Sequence, residues 1–285
     1  MDHLLPNRNY EQSPPSVFPP CDAVAWGFDF YGLWKTLEIA GVQQKMRWIP
    51  PGDFMMGSPE DEPARSDYEL LHEVRLTHGF WLADTPCTQA LWLAVAGDNP
   101  SHFNGEQRPV EKVSWNDVNT FLDQCNALNR EFRLCLPTEA QWEYACRAGT
   151  TTPFILGDNI TPEQVNYDGN FPYADGKKGI DRGETVDVKT VGFDPSYWGL
   201  YQMHGNVWEW CADWFAVYKV EDPIIDPVGP IEGDYRVLRG GSWIGYARRC
   251  RSAFRDGGEP SDRYHDVGFR FAQVDQPQPR SESME

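Results

Sequence analysis

Residues 239–255 read RGGSWIGYARRCRSAFR, with arginine at 239, 248, 249, 251 and 255 and no acidic residue. The surrounding chain of 285 residues carries 43 Asp and Glu against 25 Lys and Arg, a formal charge of −18. Arg236, Arg263 and Arg270 flank the stretch. So much positive charge beside Gly240-Gly241 constrains the fold, because planar guanidinium groups need partners of matching geometry. The arginines can recognise an anion. They can also pair with buried acids such as Glu139, Glu143 and Glu209 and hold loops where no sheet ladder does so. The second use is the expectation for most of them.

The remaining sequence reads as a loop-rich globule. It has 25 Gly and 23 Pro, which call for many turns, and 12 Trp, 12 Tyr and 15 Phe, which supply a core. No apolar run is long enough for a membrane span. The stretch MDHLLPNRNYEQSPPSVFPP lacks a basic start followed by an apolar core, so no signal peptide is expected. The seven cysteines, at 21, 87, 125, 135, 146, 211 and 250, include no CxxC pair. They read as reduced thiols of a cytoplasmic protein. The acidic balance opposes nucleic-acid binding. One domain is expected over 23–272, between a disordered Pro-rich stretch at 1–22 and a disordered tail at 273–285.

Local patterns place the elements. LWKTLEIAGVQQKMRWIPPG alternates on both sides of Ala40-Gly41, as a β-hairpin does, and HEVRLTHGFWLADT reads as one further strand. Thr88 starts a helix that Gly97 ends. Ser114 precedes a helix with Val118, Phe121, Leu122 and Cys125 on one face. Thr138 and Gln141 form a capping box for a helix closed by Gly149. Residues 150–272 read as loops and short strands. The expected class is α+β.

Familiar chemistry finds little support. No HxxxH or HExxH occurs among the six histidines. His72 and His78 would lie roughly 20 Å apart along a strand, too far for one ion. Ile244 breaks a GxSxG nucleophile elbow at Ser242. Cys250 remains as a nucleophile among Arg248, Arg249 and Arg251. In extended chain only Arg248 and Ser252 would share its side, so a buried structural thiol is preferred. Glu209 in HGNVWEW can hold a hard cation or an arginine.

Five ordered motifs, LPTEAQWEYACRAGT, GLYQMHGNVWEWCADW, RVLRGGSW, RCRSAFR and GFRF, together resemble the formylglycine-generating enzyme (sulfatase-modifying factor) family over about residues 44–272. The resemblance implies a single C-type-lectin-like domain with little regular secondary structure. It also implies calcium at His204, Gly205, Val207 and Glu209, and a second calcium at Asn166 and Tyr167. The acidic partner of that second site falls near Lys178, so Asp181 would have to replace it. Family enzymes oxidise a substrate cysteine with oxygen and copper held by two cysteines five residues apart. Those positions are Ala247 and Ser252 here, and neither supplies the thiolate that copper(I) requires. Related oxygenases bind iron through histidines of an additional domain that has no counterpart in this sequence. Neither copper nor iron is therefore expected.

The carboxy-terminal region also resembles the variable proteins of diversity-generating retroelements. Its skeleton would be Arg239, Trp243, Arg248, Cys250, Arg251, Ser252, Arg255, Pro260, Arg263 and Phe269. The interspersed residues, expected to bind a ligand, are Ile244, Gly245, Tyr246, Arg249, Phe254, Asp256, Gly257, Gly258, Tyr264, His265 and Asp266. All are types reachable from an Asn codon by changing its adenines. The expectation is a catalytically silent domain that displays these residues to a protein. The alternative is a divergent oxidoreductase acting on cysteine or another sulfur compound.

Overall fold

A computed structural model of the chain describes residues 13–218 and 223–275. Strands β1 (Ala25–Asp29), β2 (Gly32–Ile39) and β3 (Val42–Ile49) form an antiparallel meander. The hairpin expected at Ala40-Gly41 forms there, with φ of 50° and 80°. Two successive positive φ angles give a tight turn whose twist matches the strands, and glycine fits the second without strain.

β4 (Gly52–Met56), β5 (His72–Leu76) and β6 (Phe80–Ala83) follow. The single strand expected over HEVRLTHGFWLADT is thus two strands in different sheets. The chain breaks near Gly79, where a Cβ would lie 2.3 Å from the Trp48 ring. Helices α1 (Gln89–Ala96) and α2 (Trp115–Leu128), strand β7 (Leu134–Cys135) and helix α3 (Glu139–Arg147) come next. The caps fall where the sequence places them: Thr88 and Gly97 bound α1, and Ser114 and Thr138 head capping boxes. α3 differs at its end, where Ala148 already takes the left-handed conformation (φ 44°) ahead of Gly149.

Residues 148–207 contain no helix or named strand. They lead into β8 (Trp208–Trp214), β9 (Ile224–Ile225), β10 (Arg236–Arg239), β11 (Arg255–Gly258), β12 (Val267–Gly268) and β13 (Ala272–Val274). Three sheets result, in the orders β1-β2-β3-β6-β13-β7, β11-β10-β8-β12 and β4-β5-β9. One core joins the large sheet, α1, α2 and the four-stranded sheet around Phe121, Trp210 and Phe269. A second, around Trp142, Leu82 and Val237, joins α3 to both sheets. A third lies under the 148–207 loops and contains Cys250. The α+β, loop-rich class is therefore observed.

The expected domain boundaries shift. Gln273 belongs to β13 and pairs with Trp81 and Leu134, so 273 lies inside the large sheet. Ser16 Oγ donates to Asp275 at 2.8 Å, and Asp22 pairs with buried Lys35 at 2.7 Å. Residues 13–22 are thus hydrogen-bonded to the domain, whereas the expectations for 1–12 and 276–285 lie outside the described residues. Among the described residues no helix is long and apolar enough to cross a membrane, and all seven cysteines are free.

Candidate functional site

The arginines anchor the irregular half of the chain to α3 and to the loop after β4. Arg239 donates to Glu143 and to the carbonyls of Ser252, Ala253 and Phe254 at 2.7–3.0 Å. Glu143 also accepts from Arg147 at 2.8 Å and from the Gly57 N–H at 2.9 Å. Burial opposes its ionisation, yet Arg147 and Arg239 hold its pKa below the ordinary value. Arg255 clamps Glu139 through Nε and Nη2 at 2.8 and 2.5 Å. Arg270 clamps Glu209 through two bonds of 2.7 Å. The pairing expected with Glu139, Glu143 and Glu209 is what the structure contains. Arg251 has partners the sequence did not suggest: Glu69 at 2.7 and 2.8 Å and Glu62 at 2.5 Å.

Glu209 is therefore committed. Its Oε2 accepts from Arg270 and from Trp142 Nε1, both at 2.7 Å, its Oε1 accepts from Arg270, and the residue is 1% exposed. The carboxylate expected to hold calcium is thus already engaged, and a cation there would compete with a two-point guanidinium pair. The His204 ring is likewise used internally, with Nδ1 donating to the Cys250 carbonyl at 2.7 Å and Nε2 accepting from the Ile155 N–H at 3.1 Å. Gly205 O receives the Val207 N–H. At the second expected calcium site, Asn166 Oδ1 is buried without a hydrogen-bond partner, as a cation ligand would be. Tyr167 is buried and donates to the Ile160 carbonyl at 3.3 Å, while Asp181 is exposed and turns back to the Gly183 N–H. Asp181, the carboxylate expected to complete that site, thus bonds its own loop. Among the described residues no group of three or more His, Cys, Asp or Glu is arranged to hold a metal ion.

The two positions that the family resemblance assigns to copper thiols, Ala247 and Ser252, are fully buried. Nearby sulfur does not replace them. Burial pushes the Cys146 and Cys250 thiols up to about 12, and Cys146 Sγ points at Ser252 Oγ, 3.7 Å away. Ala247–Cys250 is a 3-10 turn and not extended chain. Cys250 is a buried, protonated thiol packed 2.7 Å from where a Gly241 Cβ would stand, which matches the structural thiol preferred from the sequence over a nucleophile. The donor set does not fit copper.

The same segment turns other residues outward. Gly240 and Gly241, at φ of 95° and 75°, fold the chain back so that Gly240 O and Trp243 N bond the 205–206 loop. Ile244, Tyr246 and Tyr264 are then exposed, and Arg249, Asp256, Gly257, His265 and Asp266 are half-exposed. Of the residues expected to face a ligand, Gly245 and Gly258 are buried, and Phe254 packs against Trp208. Of the expected skeleton, Arg248 and Arg263 are exposed, the latter pairing with Asp117. The outward residues do not all share one edge. Asp256 and Gly257 lie on β11, whereas His265 and Asp266 precede β12 at the other edge of that sheet.

Two aromatic groups extend this surface beyond the residues the sequence singled out. His265 meets Trp243, His102 and Phe103 at 5.3–6.5 Å between ring centroids. Glu111 accepts the Phe103 N–H there, and burial pushes its carboxyl up to about 7. Tyr246 stacks on Phe171 at 4.1 Å beside a groove of about 430 Å³ that also holds Tyr173, Lys178 and Arg248. Phe103 and Phe171 come from distant loops, and nothing in their local sequence marks them.

Comparison with known proteins bears on this geometry. A family model described as sulfatase-modifying factor enzyme 1-like domain matches residues 36–274. The formylglycine-generating enzyme of Mus musculus is 34% identical over 211 residues, 71% of this chain and 53% of that protein. The inactive C-alpha-formylglycine-generating enzyme 2 of Mus musculus is 33% identical over 194 residues, 66% of this chain and 56% of that protein. The chain thus spans little more than half the length of these relatives. Among solved structures, Treponema denticola variable protein 1 matches with a TM-score of 0.71 at 30% identity, covering 84% of this chain and 98% of that one. On the match of 36–274 and on its fold, this chain belongs to the sulfatase-modifying factor enzyme 1-like family.

Proposed function

We propose that this chain is a catalytically silent family member that binds a protein ligand through the 244–266 surface. One observation carries the reading: Ala247 and Ser252, at the copper-thiol positions, are wholly buried, while Ile244 and Tyr246 beside them are exposed. Tyrosine, histidine, aspartate and glycine on a rigid platform suit adaptable recognition of a protein. The likeness to a structure titled a variable protein supports the same reading, as does that to a relative named inactive. The buried arginines 239, 251, 255 and 270 are spent on carboxylates, which leaves little basic surface for nucleic acid. Seven free cysteines suit a reducing cytoplasm.

The test is copper(I) affinity and oxygen-dependent conversion of a cysteine peptide by the purified chain. No turnover is expected, and sustained turnover above a metal-only control would overturn the proposal. Diversification has its own test in the DNA. A near-copy of the gene's 3′ end, differing mainly at adenines and lying beside a reverse transcriptase, is the expected finding if the surface is hypermutated.

A further inference from the structure

A cavity of about 280 Å³ opens between α3, the end of β8 and the loop after β9, and it shares only Arg255 with the 239–266 segment. Its walls are largely apolar, with Met56, Trp214, Val217 and Val228 among them, and its polar side holds His72, Glu139, Asp213, Tyr218 and Arg255. Most of that polarity is already matched. Glu139 receives Arg255 and the Tyr218 hydroxyl, the latter at 3.1 Å. The other arm of Arg255 is spent on the carbonyls of Ala216 and Tyr68, at 2.7 and 3.3 Å. The His72 Nδ1 donates to Leu70 O at 2.8 Å.

Asp213 is the exception. It is 4% exposed and accepts the Glu139 N–H at 2.8 Å through Oδ2, yet among the described residues it forms no ion pair. Arg236 lies close enough to feel its charge, but that guanidinium stacks on Trp214 and Trp115 and donates to Ala212 O at 2.6 Å. Among the described residues, with the Glu139–Arg255 pair neutral as a unit, Asp213 is the one uncompensated carboxyl on the cavity's apolar wall. A buried carboxylate without a counter-charge is costly, and a cation that brings its own apolar body removes that cost. An anion would instead meet the Asp213 and Glu139 carboxyls.

We propose that this cavity binds a small organic cation, an ammonium group on an aromatic or branched aliphatic body, with the charge paired to Asp213. The site is separate from the protein-binding surface proposed above. In the free protein, burial first and Glu139 second push the Asp213 carboxyl up to about 7. Among the described residues the charged or titratable groups around it are Glu139 from α3, Cys211 from β8, Arg255 from β11, Arg236 from β10, His72 from β5 and Tyr218 after β8. The cation therefore displaces a proton, and its binding weakens as the pH falls below neutrality.

The test is calorimetric titration of the full chain with benzylamine and with its neutral analogue benzyl alcohol. Benzylamine is expected to bind above neutral pH, at least tenfold more tightly than benzyl alcohol, and to lose that advantage in acid. Asp213→Asn keeps an oxygen for the Glu139 N–H while removing the charge, and is expected to bring benzylamine down to the alcohol. Val228→Trp at the mouth is expected to block both. Equal binding of amine and alcohol, benzylamine affinity unchanged in either variant, or no binding of benzylamine at millimolar concentration would each overturn the proposal.

Discussion

Arg251 and Glu69, 182 positions apart in the chain, form a two-point guanidinium–carboxylate pair in which neither side chain is exposed. Glu62 adds a third contact at 2.5 Å, and Ser58 Oγ donates to Glu69 at 2.8 Å. The pair fastens the 239–255 segment to the loop between β4 and β5, neither of which has a sheet ladder at that point.

Removing one member leaves an uncompensated buried charge. Arg251→Met strands Glu62 and Glu69, and Glu69→Gln strands part of Arg251. Each is expected to cost about 3–5 kcal/mol in urea unfolding. Losses under about 1 kcal/mol would mean that the segment is held by something else.

The outward residues should behave in the opposite way. Ile244 and Tyr264 are 48% and 50% exposed. Ile244→Ser and Tyr264→Ser are expected to change stability by less than about 0.5 kcal/mol, which thermal unfolding can resolve. A large loss in either would show that these positions build the fold and do not display on it.

Asp213 predicts a pH dependence with a definite sign. Its carboxyl moves from 3.8 in the unfolded chain to about 7 in the fold. Between those values the folded state binds the extra proton. Its contribution is fully present below about pH 4 and is lost as the pH rises through about 7, by at most about 1.4 kcal/mol per pH unit. Wild type should therefore lose stability relative to Asp213→Asn across that window. A constant difference between the two would refute the shift.

His204 acts with the reverse sign. Burial lowers its pKa from 6.5 to about 4, so the unfolded chain takes up the proton first and this contribution fades as the pH falls through that interval. The ring bridges the Ile155 N–H and the Cys250 carbonyl as the neutral Nδ1–H tautomer. Proton NMR is expected to show one histidine that stays neutral to about pH 4. If every histidine titrates near its ordinary value, the bridge does not persist in solution.

Much of the local structure was legible. Ala40-Gly41 marks a hairpin and Thr88, Ser114 and Thr138 mark helix starts, because these signals act over only a few residues. The division of 239–269 into inward and outward positions was legible only in part: Ile244, Tyr246 and Tyr264 are exposed, whereas Gly245 and Gly258 are buried. It erred where a side chain has a choice that local sequence does not settle: Phe254 turns to the core beside Trp208, and Arg248 and Arg263 turn to solvent. Nothing in the local sequence marks Asp213, because its lack of a paired cation among the described residues depends on Arg255 and Arg236 being occupied elsewhere.

The amino-acid sequence alone determined the class of the domain, the family resemblance, and the absence of sulfur at 247 and 252. Each depends on residue identity or short-range spacing. Tertiary structure alone decided which acid each arginine takes, that Glu209 holds Arg270, and that Asp213 is left facing a cavity. The guanidinium forks of Arg239, Arg251, Arg255 and Arg270 reach carboxylates 61 to 189 positions away. Which one they meet depends on how the sheets and loops stack, and that is settled only when the whole core packs.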